Sequence, residues 1–365
     1  MANLNFTGAI KHRVLSFITL NRIALSVFAR HALGRKMAED WDAMTEIGIR
    51  FWRHQFTRAM THPQIRVGRE IYKSLQPLPD VAYPVTTRDQ DTPKGSWIVP
   101  QTLKTQMTLL YFHGGGYTFD GPVSDHFGKV LAHHVGARVF MPSYRLTPEH
   151  PHPAQSEDAM TAWGYLRKSI DAERLVIIGD SAGGHMALTL LNQLRDQNEP
   201  QPALCVGLCP WTDIGNRGAS LQTNDRYDLV QGWMALRFGE WLDPDGRYGR
   251  AALSPIHWNF SGLAPVYLQA GGRENLRDMI VDFAQMQSDN GASVMLDQWD
   301  DMMHNFQIAD TLHASSGEAL ARIAAVIRAA GGAEVLLPSL PNVTRVASGR
   351  FETALLPDLE DAVLS

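Results

Sequence analysis

From about residue 108 onward the chain alternates two hydrophobic patterns. Continuous apolar runs of strand length occur at TLLYFHGG (108–115), ARVFMPSYRL (137–146), RLVIIGDS (174–181), ALCVGLCPW (203–211), PVYLQAGG (265–272) and SVMLDQW (293–299). Between them lie segments with apolar residues at helical spacing, among them HFGKVLAHHVG (126–136), SEDAMTAWGYLRKS (156–169) and HMALTLLNQLRD (185–196). Strands that are apolar throughout are buried on both faces. Their alternation with helices predicts a mainly parallel sheet covered by helices on each side. Two weaker strands, around Val81–Thr86 and Gly95–Pro100, precede the series.

The flanking regions read differently. Residues 1–75 look helical throughout, with Trp41, Met44, Ile47 and Phe51 at helical spacing, and Pro77, Pro79 and Pro84 mark the boundary that follows. Within this region KHRVLSFITLNRIALSVFARHAL begins basic and is apolar. Asn21, Arg22 and Arg30 interrupt it well short of the ~20 uncharged residues of a membrane span, and a small-residue cleavage site is missing. It reads as an amphipathic helix packed on the protein rather than on a membrane surface, in a cytoplasmic chain. Residues 213–255 form a second helical segment, rich in aromatics, inserted between two strands that a short crossover would otherwise join. The expected organisation is an N-terminal helical cap region (1–75), a core (76–212), a cap insertion (213–255), the rest of the core (256–332) and a C-terminal tail without clear period (333–365).

Composition narrows the function classes. Hydrophobic residues make up 44% and charged residues 19% of 365, an ordinary globular balance. A net charge of −5 without a block of like charges argues against a nucleic-acid partner. The two cysteines, Cys205 and Cys209, stand four positions apart on one strand, which separates their Cα atoms by roughly 13 Å, beyond disulfide reach. They also lack zinc-finger companions, so they read as buried apolar side chains, and no metal or organic cofactor is expected.

The chemistry concentrates where strands end. Gly179-Asp180-Ser181-Ala182-Gly183 is a G-x-S-x-G sequence with a strand before it and a helix after it, the setting that exposes a serine hydroxyl on a strained turn. A plain tight turn is the bland alternative. Upstream, His113-Gly114-Gly115-Gly116 ends another strand. Bare backbone N–H groups there can converge on an oxygen that is gaining negative charge. The Walker and G-x-G-x-x-G patterns are both absent, which disfavours a phosphate loop.

HGGG, GDSAGG and the intervening YRLTPEHPHPA together resemble the hormone-sensitive-lipase-like family of α/β-hydrolases, in its bacterial esterase branch, over residues 80–330. The resemblance implies a mainly parallel eight-stranded sheet flanked by helices, with a helical cap. It makes Ser181 the nucleophile and the amides of Gly114, Gly115 and Ala182 the oxyanion hole, with His113 ordering the loop. Tyr144, Arg145, Pro148 and Glu149 match a structural signature. The family order of serine, acid, then histidine points to His304 in WDDMMHNFQ as the base. His257 and His313 fit that order less well. Glu274 in LQAGGRENLRD stands where the family usually has aspartate, with Asn275 in place of its proline. Asp278 is the alternative acid, and chain order disfavours Asp300 and Asp301.

By the same resemblance, the N-terminal helices and the insertion cover the serine. Phe51, Trp52, Trp233, Phe238 and Trp241 are candidates to line an apolar pocket or simply to glue cap to core. The expected function is hydrolysis of short- to medium-chain carboxylic esters, with a small-molecule ester as partner, no integral membrane span and a homodimer as the family's usual assembly. Long-chain triglycerides fit less well, for want of a strong interfacial surface. An amidase or arylacetamide-type deacetylase would use the same residues. A noncatalytic ligand receptor on this scaffold would lack the base that His304 supplies.

Overall fold

The computed structural model describes residues 2–355. The strands are β1 (Ala2–Phe6), β2 (Leu75–Pro79), β3 (Val85–Asp91), β4 (Lys94–Pro100), β5 (Thr108–Phe112), β6 (Arg138–Pro142), β7 (Leu175–Asp180), β8 (Leu204–Leu208), β9 (Val266–Gly271), β10 (Val294–Trp299) and β11 (Val343–Val346). The helices are α1 (Ile10–Ala32), α2 (Ala43–Met60), α3 (Ile65–Lys73), α4 (Pro122–Leu131), α5 (Ala154–Arg167), α6 (Ala182–Asp196), α7 (Ser220–Thr223), α8 (Gly232–Leu242), α9 (Arg277–Asp289), α10 (Ala314–Ala330) and α11 (Gly349–Leu355).

The main sheet has the order β11-β10-β9-β8-β7-β5-β6-β4-β3. From β6 across to β10 every pairing is parallel, and β3, β4 and β11 join antiparallel. The six apolar runs of the sequence are these six parallel strands. In β7, Leu175 and Ile177 pack on one face with α5, α6 and α9, while Val176 and Ile178 pack on the other with α4 and α10. Alternation to two apolar layers is why such a strand reads as an almost continuous apolar run, broken here only by Asp180 at its end.

The strand order reverses at β5, which lies between β6 and β7. Loops leaving the carboxyl ends of β5 and β7 therefore diverge and leave a crevice between them, where open α/β sheets bind ligands. HGGG follows β5 and Ser181 follows β7.

Three expectations need correction. The sheet has nine strands among the described residues, not eight, because the tail supplies β11. Asp297 of β10 accepts from Arg322 of α10 at 2.8 Å and from Arg345 of β11 at 3.2 Å, and Phe351 of α11 is fully buried, so the tail packs on its own core. Residues 356–365 of the expected tail lie outside the described residues. The N-terminal region is not helical throughout, since β1 pairs antiparallel with β2 in a separate ribbon. Finally, α1 does not bury its apolar side: its buried residues are His12, Ser16 and Val27. Ser16 meets Gln55 at 3.1 Å and Ser74 at 2.8 Å.

The N-terminal helices and the insertion are tied together. Arg53 of α2 bonds Asp225, and Gln231 donates to Thr57 at 2.6 Å. Both cysteines are free and buried, as their spacing predicts.

Candidate active site

Ser181 sits between β7 and α6 with φ 55° and ψ −118°, a conformation few L-residues adopt. The elbow needs close backbone approach: a Cβ on Gly179 would lie 2.1 Å from the Gly183 carbonyl oxygen, and one on Gly183 would lie 1.9 Å from that of Phe112. The strain is thereby held in place by packing. The Ser181 N–H donates to Leu208 O at 2.9 Å, and Ser181 Oγ hydrogen-bonds to nothing among the described residues.

His304 lies in the loop after β10, and Glu274 lies just beyond β9. Both are buried. His304 Nδ1 is 3.8 Å from Glu274 Oε1, an ion-pair separation longer than a hydrogen bond, while Glu274 Oε2 accepts from the Gly271 N–H at 2.9 Å. The unbonded Oε1 therefore faces the unbonded Nδ1. Catalytic contacts commonly tighten when substrate binds. Asp278, the alternative acid, instead accepts from Ser220 N at 2.9 Å and from Arg277. Asp300 engages Gln298 and Thr344, Asp301 faces Ser315, His313 caps α10, and His257 is exposed.

Two further buried carboxylates surround this pair, and the sequence reading singled out neither. Asp180 accepts from Tyr111 Oη at 2.8 Å, Gly114 N at 2.9 Å and Asn305 Nδ2 at 2.8 Å, so it clamps the HGGG loop and the histidine loop to the elbow. Asp228, in the insertion, accepts from Leu229 N and Asn275 N, each at 2.7 Å, and from His304 N at 3.4 Å. Burial, with the nearby Glu274, pushes the Asp228 pKa up to about 6 against the lowering effect of His304 and its amide donors. For His304, burial alone would lower the pKa, but Glu274, Asp228 and Asp180 together outweigh it and hold it above its ordinary value. Cys209 also borders the pair, and burial keeps its thiol protonated.

The HGGG loop corrects the expected oxyanion donors. Because the Gly114 N–H already donates to Asp180, it is not available to a substrate. Among the described residues the amides of Gly115, Gly116 and Ala182 have no acceptor. Gly115 turns the loop at φ 102°, where a Cβ would lie 2.1 Å from Phe119 O. His113 orders the loop as expected: its Nδ1 contacts Gly114 O at 2.7 Å, its ring stacks on Tyr144 at 4.4 Å, and Tyr144 Oη donates to His113 O at 2.7 Å.

Ser181, His304, Gly115 and Gly116 open into one largely apolar cavity of about 510 Å³. Trp52 and Phe238 line it, and so do Ile47, Phe56, Trp211 and Val230. Phe51, Trp233 and Trp241 do not. Phe51 is fully buried behind Trp52, Trp233 is 41% exposed, and Trp241 packs beside Phe238 under Arg237. Trp52 reaches the cavity from α2 together with Ile47, Gly48 and Ile49, whereas Phe51 is fully enclosed by packing.

This fold and this placement of a strained serine define an α/β-hydrolase. A family model described as alpha/beta hydrolase fold matches residues 109–308, and the chain belongs to that family. Within it the chain is a member of the hormone-sensitive-lipase-like branch. It is 36% identical over 217 residues to an acetyl-hydrolase of Streptomyces hygroscopicus, covering 57% of this chain and 70% of the relative. It is 27% identical over 290 residues to an esterase of Acinetobacter venetianus, covering 75% and 95%. The crystal structure of an esterase from the bacterial hormone-sensitive lipase family superposes with a TM-score of 0.63 at 27% identity, covering 85% of this chain and 97% of the other. Among the described residues no helix is long and apolar enough to cross a membrane.

Proposed function

We propose that the protein is a serine carboxylesterase acting on short- to medium-chain esters in the cytoplasm. The observation that carries this reading is Ser181 on a strained elbow, opening into the same apolar cavity as His304. Ser181 Oγ attacks the ester carbonyl as His304 takes its proton. Glu274 faces Nδ1 and stabilises the imidazolium. The unengaged amides of Gly115, Gly116 and Ala182 receive the developing oxyanion. His304 then protonates the departing alcohol, and water, deprotonated by the same imidazole, releases the acid from Ser181. A noncatalytic receptor is disfavoured by the base facing its carboxylate. A homodimer, the assembly implied by the family resemblance, would meet at the outer edge of β11, because β11 already covers β10.

The test is hydrolysis of p-nitrophenyl esters from acetate to palmitate. A cavity of this size predicts a rate maximum among the short chains. A maximum at palmitate would overturn the acyl-length reading, and the absence of turnover on every ester would overturn the esterase reading.

Asp228 offers a second prediction. The base must be neutral to act, so kcat/KM falls as pH drops through the raised pKa of His304. Asp228 is ionised above about pH 6 and contributes to that elevation in the window where His304 titrates. Asp228→Asn removes the charge, so the acidic limb should move to lower pH. A limb that stays in place or moves up would show that Asp228 does not act on the base electrostatically.

A further inference from the structure

Helix α1 carries most of its large apolar side chains on the side that faces away from the protein. Its inward side is mixed: His12, Ser16 and Val27 are buried, Ser16 bonds Gln55 of α2 and Ser74 just after α3, and Leu20 and Ile23 are part-buried beside them. Ile10, Val14, Phe17, Ile18, Leu25 and Phe28 recur at three- and four-residue steps along the opposite side, interrupted only by Asn21, and all are exposed, Ile10 and Leu25 above 70%. The stripe runs about 27 Å along the helix. An apolar surface of this extent on a water-facing helix marks an interaction site.

The charge around the stripe indicates what covers it. Residues 1–38 carry six Lys and Arg and no Asp or Glu, so the rest of a chain with net charge −5 carries −11. Lys11 and Arg22 flank the stripe on one side and Arg13 on the other, and none of the three forms an ion pair among the described residues. We propose that α1 docks this protein in the plane of an anionic phospholipid surface, with the stripe among the acyl chains and the basic flanks at the headgroups. A second copy is a poorer occupant, because it would set these cations against their own counterparts. The rim of the active-site cavity adjoins the helix. Leu20 of α1 and Leu4 of β1 line the cavity, and two further lining residues, Met44 and Leu312, are about half exposed. On the ester reading above, docking turns this rim toward esters dissolved in the bilayer.

Flotation of the full chain with vesicles tests the proposal. Binding to vesicles of phosphatidylcholine with phosphatidylglycerol should exceed binding to phosphatidylcholine alone by about tenfold or more, and should weaken as NaCl is raised. The double variants Leu25→Ser/Phe28→Ser and Lys11→Glu/Arg22→Glu should each lose this binding by about tenfold or more. Hydrolysis of water-soluble p-nitrophenyl butyrate should stay at the wild-type rate in both, which reports that they fold. Wild-type protein that does not float with anionic vesicles, or variants that float as well as it does, would overturn the proposal. A dimer in sedimentation velocity that Leu25→Ser/Phe28→Ser dissolves would also overturn it, giving the stripe to a second copy. Flotation without butyrate hydrolysis would remove the ester reading and leave the docking intact.

Discussion

Ser181→Ala is expected to lower kcat for p-nitrophenyl butyrate by roughly a million-fold, the scale on which loss of the nucleophile costs serine hydrolases. The hydroxyl bonds to nothing among the described residues, so its removal leaves no buried partner unsatisfied and no packing lost. Alanine inherits the same backbone strain at φ 55°, because that strain is a property of the Cβ both residues share. The variant should therefore keep its melting temperature and its affinity for a non-hydrolysable ester analogue while losing turnover. This combination separates a nucleophile from a structural turn serine. Retention of more than about 1% of wild-type kcat would overturn the assignment, since the oxyanion donors alone supply only a small residue of the acceleration.

The elements that sequence made legible are those whose signal is local. Six apolar runs became six parallel strands, and the elbow was readable because its glycines, its serine and the flanking strand and helix are contiguous. His304 was readable from its own loop. Glu274 rested on position relative to the other motifs, and the structure brings it to His304 while turning Asp278 toward α7. What sequence left hidden depends on orientation. Which glycine amide stays open depends on Asp180, 66 residues away, taking the Gly114 N–H. Asp228 has no motif around it, and only the folding of the insertion against the β9 loop brings it to His304. Which of Phe51 and Trp52 lines the cavity depends on how α2 is seated against the core. The direction of α1 was invisible for the same reason: an apolar stripe shows that a helix has two sides, not which one meets the protein. β11 is four residues long and has too little pattern to be read in advance.

Glu274→Gln should cost about a thousand- to ten-thousand-fold in kcat, far more than Asp228→Asn. The geometry explains the asymmetry. Glu274 Oε2 is occupied by the Gly271 N–H, so in the glutamine variant the amide oxygen keeps that bond and the amide nitrogen takes the position facing His304 Nδ1. An amide donor there favours the imidazole tautomer with its proton on Nε2, which cannot accept the proton of Ser181, and it no longer stabilises the imidazolium. Asp228 reaches His304 only through the backbone N–H, so its replacement changes the local field without changing the tautomer. Glu274→Asp restores the charge but withdraws it by one methylene from a contact already at 3.8 Å, and should recover only part of the loss. These expectations are checked by kcat and pH profiles of the three variants on one ester. A near-normal Glu274→Gln together with a crippled Asp228→Asn would exchange the two roles and make the carboxylate of the inserted segment the acid of the site.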